Sequence, residues 1–98
     1  QHYRVVNTYT NCHDALKNLK KDSPNLVIID LELPGMHGIE GIKRIRKEKP
    51  NTIILVVSVH EDSRMVFDAL CAGAAGYLTK DTDHLRLLSA IDELLRGG

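Results

Sequence analysis

The sequence lacks an excess of either charge. Lysine plus arginine and aspartate plus glutamate both number 13, so the 98-residue chain carries no formal net charge. That excludes a polypeptide whose main work is neutralising nucleic-acid phosphates. Long apolar runs are missing as well. The longest, Ile53–Val57, is strand-like and falls far short of the roughly 20 residues that a membrane helix needs, so no membrane contact is expected. Cysteine is scarce, and Cys12 and Cys71 form no metal-type pair. They read as reduced thiols of a cytoplasmic protein rather than as a disulfide. Repeats, linkers and low-complexity segments are absent. The chain opens without a secretory pattern, begins on Gln1 rather than Met and stops on Gly97-Gly98, so both ends are expected to be cut.

What is present suits one small domain spanning residues 1–98. An apolar content of 43% and a charged content of 27% are those of an ordinary globular chain. Strand and helix patterns alternate. Tyr3–Asn7 is a short β-branched run, and Asn11–Lys21 carries Cys12, Ala15, Leu16 and Leu19 as a helical stripe. Leu26–Asp30 is a continuous apolar run after Ser23-Pro24-Asn25, the pattern of a strand covered on both faces. Gly38–Lys47 aligns Ile39, Ile42 and Ile45, and Ile53–Ser58 is a second buried strand. Ser63–Gly73 reads as a helix with Val66, Phe67, Leu70, Cys71 and Ala74 inward, and Gly76–Thr79 as a short strand. Thr82–Arg96 places Leu85, Leu88, Ile91 and Leu95 at helical spacing, with Gly97 and Gly98 as stop signals. The order β-α-β-α-β-α-β-α predicts an α/β fold, a doubly wound parallel sheet with crossover helices.

Several chemical patterns fail on inspection. "HEDSR" at 60–64 starts like the zinc motif H-E-x-x-H, but Arg64 stands where the second histidine is needed. "PGMHGIEGIK" has the glycines and lysine of a phosphate loop without its spacing or hydroxyl residue. Asp30-Leu31-Glu32 is a weak echo of the D-x-D of aspartyl-phosphate phosphatases, with Glu in place of the second Asp and Pro34 where a Thr is expected. The basic set Lys43, Arg44, Arg46, Lys47 and Lys49 has no interleaved aromatics and is flanked by Glu40 and Glu48, so a solvated face is expected rather than nucleic-acid contact.

In sheets of this kind, chemistry sits at the carboxyl ends of the strands. The three apolar runs close on Asp30, on Ser58 and on Thr79-Lys80, bringing an acid, a hydroxyl and an amine to one edge. A carboxylate can attack phosphorus and hold an acyl phosphate, a hydroxyl can hydrogen-bond a phosphoryl oxygen, and an ammonium can pair with another. A lone strand-end serine is more often a satisfied hydroxyl, and a lone lysine a solvated surface group. Three such groups on three strands are the stronger signal.

These residues carry a resemblance. "LVIIDLELPGMHGIE", "ILVVSVHED" and "AGAAGYLTKDT" occur in order. Together they resemble the phospho-acceptor, hydroxyl and lysine strands of response-regulator receiver domains, of the NarL/LuxR-like group usually joined to a helix-turn-helix DNA-binding domain. The resemblance implies a flavodoxin-like fold and a phospho-switch: Asp30 as acceptor, Ser58 and Lys80 as phosphoryl contacts, and Tyr77 as an aromatic rotamer switch. It implies Mg²⁺ bound by Asp30 and the Glu32 main-chain carbonyl, with Glu32 and His60 tuning dephosphorylation. It implies a sensor histidine kinase as donor, a homodimer on activation and a C-terminal DNA-binding domain, with no direct nucleic-acid contact by this segment and no enzymatic activity. Pro34 and Gly38 match the turn after the acceptor, and His37 replaces the more usual Asp. One departure is large. The family's first strand, which ends in an acidic pair holding Mg²⁺, has no counterpart here, because Tyr3–Asn7 resembles the second strand. The fold is therefore expected to be N-terminally incomplete, and a phosphorylation-independent pseudo-receiver is the competing expectation.

Overall fold

A computed structural model describes residues 24–31, 38–59 and 62–97. The expected strand at Tyr3–Asn7 and the expected helix at Asn11–Lys21 lie outside the described residues, as do Glu32, Pro34, His37 and His60.

The described elements are β1 (Leu26–Asp30), α1 (Gly38–Glu48), β2 (Ile53–Ser58), α2 (Ser63–Ala72), β3 (Gly76–Thr79) and α3 (His84–Leu95). Each corresponds to a segment expected from periodicity, with ends shifted by two residues at most. The strands form one parallel sheet in the order β1-β2-β3. Leu26 pairs with Ile53 at one end of the first ladder and Asp30 with Val57 at the other. Leu55 pairs with Gly76 and Ser58 with Thr79 in the second.

Alternation along β2 sorts the two layers. Ile54 and Val56 join Ile29, Ile42, Ile45, Ala69, Ala72 and Ala74 in the buried cluster beneath α1 and α2. Leu55 points the other way, toward α3, whose Leu94 sits beside Gly76; a methyl at Gly76 would meet Leu55 at 3.1 Å and Leu94 at 3.4 Å. β2 is thus central among the described strands, and Ile54, Leu55 and Val56 are essentially inaccessible. Each such side chain contributes about 1.5–3 kcal/mol by burial.

Helix ends follow local chemistry. Asp62 caps α2 by accepting from the Met65 amide at 2.9 Å, and Asp83 caps α3 by accepting from the Arg86 amide at 2.9 Å. Both satisfy donors that the first helical turn leaves without partners. α2 stops at Gly73, whose φ of 126° lies where a side chain is strained. At the start of α1, Gly38 lies against Leu31, and an added methyl would come within 3.1 Å of the Leu31 Cα.

Four expectations need correction. Leu26–Asp30 is not covered on both faces: Ile28 is 47% exposed, because α3 lies against β2 and β3 rather than β1. On α2 the inward face is Ala69 and Ala72, while Phe67, Leu70 and Cys71 are exposed. Apolar residues run almost all round this helix, so periodicity selected no face. Close approach to α1 did, because only the alanine side admits it. On α3 the inward stripe is Leu87, Ala90, Ile91 and Leu94, with Leu85 77% exposed and Leu88 and Leu95 at the margin of exposure. The helix is rotated by about one residue from the expected Leu85–Leu88–Ile91–Leu95 seam. Finally, Arg46 is not part of a solvated basic face. Its guanidinium donates to the Gly73 carbonyl at 2.6 Å and to the Pro50 carbonyl. It thereby ties the end of α1 to the C-cap of α2, where helix carbonyls lack partners. Lys43, Arg44 and Lys47 are exposed as expected.

Candidate functional site

The carboxyl ends of the three strands form the site. Asp30 closes β1 and is half-buried, and the next residue keeps the ladder going through the Leu31 amide to the Val57 carbonyl at 3.4 Å. Ser58 closes β2 and is completely buried. Its hydroxyl is satisfied, since no buried side-chain polar atom among the described residues lacks a partner. Lys80 follows β3, with its amide donating to the Ser58 carbonyl at 2.9 Å.

The lysine side chain then crosses the sheet. Lys80 Nζ lies 2.8 Å from Asp30 Oδ2. β1 and β3 are separated by β2, and adjacent strands lie about 4.8 Å apart. The ammonium therefore reaches over the end of the central strand, a span that a four-carbon stem can make and a shorter cation cannot. The pair is about one-third exposed, with side-chain accessibilities of 39% for Lys80 and 33% for Asp30. An ion pair this open contributes little to stability, about 0–1 kcal/mol. Its consequence is positional: it neutralises Asp30 and holds a cation beside an oxygen that water can still reach.

Tyr77 lies on β3 opposite Val56 and packs, half-buried, against the cluster beneath α1 and α2. The structure thus brings Asp30, Ser58 and Lys80 to one edge, with Tyr77 three residues before the lysine. Glu32 and His60 belong to the undescribed residues.

Sequence reasoning missed the turn that carries Lys80. Thr79 Oγ1 donates to Asp81 Oδ1 at 2.5 Å and lies 3.5 Å from Thr82 Oγ1. The Thr82 amide donates to the Thr79 carbonyl at 3.0 Å. A hydroxyl residue followed two places on by Asp is a turn-forming pattern, and that signal was available in "TKDT".

Among the described residues no group of three or more His, Cys, Asp or Glu could hold an ion. Mg²⁺ wants near-octahedral oxygen ligation. Of the residues that close the described strands only Asp30 is a carboxylate, and it already faces an ammonium, while Asp81 in the turn after β3 is bonded to Thr79. These residues do not make a Mg²⁺ site by themselves.

Residues 1–92 match the family model described as the response regulator receiver domain. The chain belongs to this family. The receiver is similar to the chemotaxis protein CheY of Thermotoga maritima, 34% identical over 92 residues that cover 94% of this chain and 77% of CheY. It is also similar to a glycerol metabolism activator of Pseudomonas putida, 36% identical over 76 residues, 78% of this chain and 34% of that protein. Among solved structures, a LuxR-family two-component response regulator from Aurantimonas sp. superposes with a TM-score of 0.83 at 36% identity, covering 89% of this receiver and 62% of that chain. The chain spans 34% to 43% of the length of the first curated relatives it matches. The described strand order β1-β2-β3 is that of the last three strands of the flavodoxin-like arrangement 2-1-3-4-5. No helix among the described residues is long and apolar enough to cross a membrane.

Proposed function

We propose that residues 1–98 are the phospho-accepting receiver of a cytoplasmic two-component transcriptional regulator, running from the second strand of the domain to its last helix. A sensor kinase's phosphohistidine presents its phosphorus to Asp30. A carboxylate oxygen attacks, the imidazole leaves, and an acyl phosphate stands at the end of β1. Lys80, already beside Asp30, pairs with a phosphoryl oxygen. Ser58 is fully buried, so contacting the phosphoryl group requires it to move outward to the edge. Space opened by that movement admits the Tyr77 ring. The face built from residues 63–96 changes in consequence and passes the signal to a second copy and to a C-terminal helix-turn-helix domain. Glu32 and His60 tune hydrolysis of the acyl phosphate. This is a switch and not an enzyme: local charge biases a two-state element.

The observation that carries the reading is the Lys80–Asp30 pair spanning the central strand. A carboxylate held open to water beside a cation at a strand end suits phosphoryl acceptance better than it suits packing. The test uses the full-length protein containing this segment. Incubation with a small acyl phosphate and Mg²⁺, borohydride trapping and peptide mapping should place one phosphoryl group on Asp30. No labelling under conditions that label a known receiver would favour the phosphorylation-independent module instead.

Mg²⁺ in the longer protein needs oxygens beyond Asp30 and the Glu32 main-chain carbonyl. The 98-residue chain alone should therefore show no saturable Mg²⁺ binding up to millimolar concentrations. Titration followed by NMR at Asp30 and Lys80 checks this, and saturable binding would mean that other acids, Glu61 and Asp62 first, complete the site.

A further inference from the structure

The turn after β3 holds a second acid that the proposed switch does not use. Asp81 follows Lys80 directly and is exposed. Among the described residues the flexible lysine ammonium thus has the Asp30 carboxylate across the sheet edge and the Asp81 carboxylate next to it in the chain. Exposed and half-exposed ion pairs are weak, so an adjacent carboxylate is a serious competitor. Yet the ammonium sits 2.8 Å from Asp30.

The reason lies one residue upstream. The Thr79 hydroxyl donates to Asp81 Oδ1 at 2.5 Å, and hydrogen bonds to an ionised acceptor are among the stronger ones. Thr79 is the register partner of Ser58, whereas Asp30 is the partner of Val57. Strand alternation places Ser58 and Val57 on opposite faces, so a carboxylate tied to Thr79 is held on the Ser58 side, away from the face that Asp30 shares with Val57. The Thr82 amide bonded to the Thr79 carbonyl at 3.0 Å closes the turn, and the Lys80 amide bonded to the Ser58 carbonyl at 2.9 Å fixes its other flank.

We propose that Thr79 is a positioning residue for Lys80. By holding the Asp81 carboxylate it removes the competing anion and leaves the ammonium directed at Asp30. The proposal rests on the phospho-acceptor reading for its significance: a lysine turned to Asp81 is not in place when a phosphoryl group reaches Asp30. Its structural content stands without that reading.

The test is made on the full chain with no phosphodonor present, so its failure leaves the acceptor assignment untouched, and failure of labelling leaves this test valid. Cross-hydrogen-bond NMR coupling between the Lys80 side-chain nitrogen and the carboxyl carbons of Asp30 and Asp81 reports which acid the lysine pairs with. Thr79→Val keeps the β-branched shape and removes only the hydroxyl; Thr79→Ala serves where valine packs badly. The coupling to Asp30 should be lost in that variant and a coupling to Asp81 should appear. Thr79→Ser should behave as the native chain. Adding Asp81→Asn to Thr79→Val should restore the coupling to Asp30, because the competitor has lost its charge. Retention of the Asp30 coupling in the Thr79 variant overturns the proposal. So does a loss that Asp81→Asn fails to reverse, which would make the role of Thr79 one of packing.

Discussion

Asp30→Asn in the full-length protein should abolish stoichiometric phosphorylation by either a kinase or a small acyl phosphate. A carboxylate can form a mixed anhydride with phosphate, and among the described residues Asp30 is the acid that closes a strand at this edge. An amide oxygen of the same shape carries no negative charge and its lone pair is delocalised, so it is a poor nucleophile. The fold should survive. Asp30 is half-buried at the end of β1 rather than in the core, and its backbone pairing with Val57 does not depend on the side chain. Losing the ion pair with Lys80 should cost no more than about 1 kcal/mol. The measurement is acid-stable, base-labile phosphate per mole of protein, read beside the chemical unfolding midpoint. Undiminished label in a folded variant would move the acceptor elsewhere.

Lys80→Ala should give the complementary result: a folded receiver that accepts phosphoryl poorly and no longer couples it to output. The side chain is 39% exposed and reaches over β2 to Asp30. Its removal should therefore change unfolding free energy by about 1 kcal/mol or less. Function is different, because among the described residues this ammonium is the cation beside Asp30, and a charge-assisted bond to phosphate exists only once the phosphate is present. Phosphate-dependent self-association, followed by light scattering together with the unfolding midpoint, separates the two roles. Normal association in a strongly destabilised variant would make Lys80 a structural residue.

The site was legible in the sequence because strand ends are legible. A parallel strand buried by crossover helices must be apolar until it leaves the sheet, so the polar residues that close each run, Asp30, Ser58 and the pair Thr79-Lys80, mark the edge. Asp30, Ser58 and Lys80 were found that way. The turn chemistry that aims Lys80 was not, although "TKDT" contains it, because a threonine two residues before an aspartate gains meaning only when the neighbouring lysine has two acids to choose between. Arg46 was misread for a related reason. In a run of five cations among seven residues, composition gives no sign that one of them lies over a helix end.

The order of the described elements and their strand limits were determined by the sequence alone, and the caps at Asp62, Asp83 and Gly73, which the periodicity did not single out, are equally local in origin. All of these rest on local physics: alternation or continuity of apolar residues, side-chain capping of amides, and the backbone freedom of glycine. Tertiary structure alone decided which face of α2 and α3 turns inward. Both helices are apolar around much of their circumference, so hydrophobicity leaves the choice open. Approach distance settles it: Ala69 and Ala72 let α2 come close to α1, and Gly76 leaves room on the sheet for Leu94. Tertiary structure likewise decided the partner of Lys80. Asp30 lies fifty residues away in the chain and two strands across the sheet, and only the parallel register, with Ser58 against Thr79 and Asp30 against Val57, brings the two charges together.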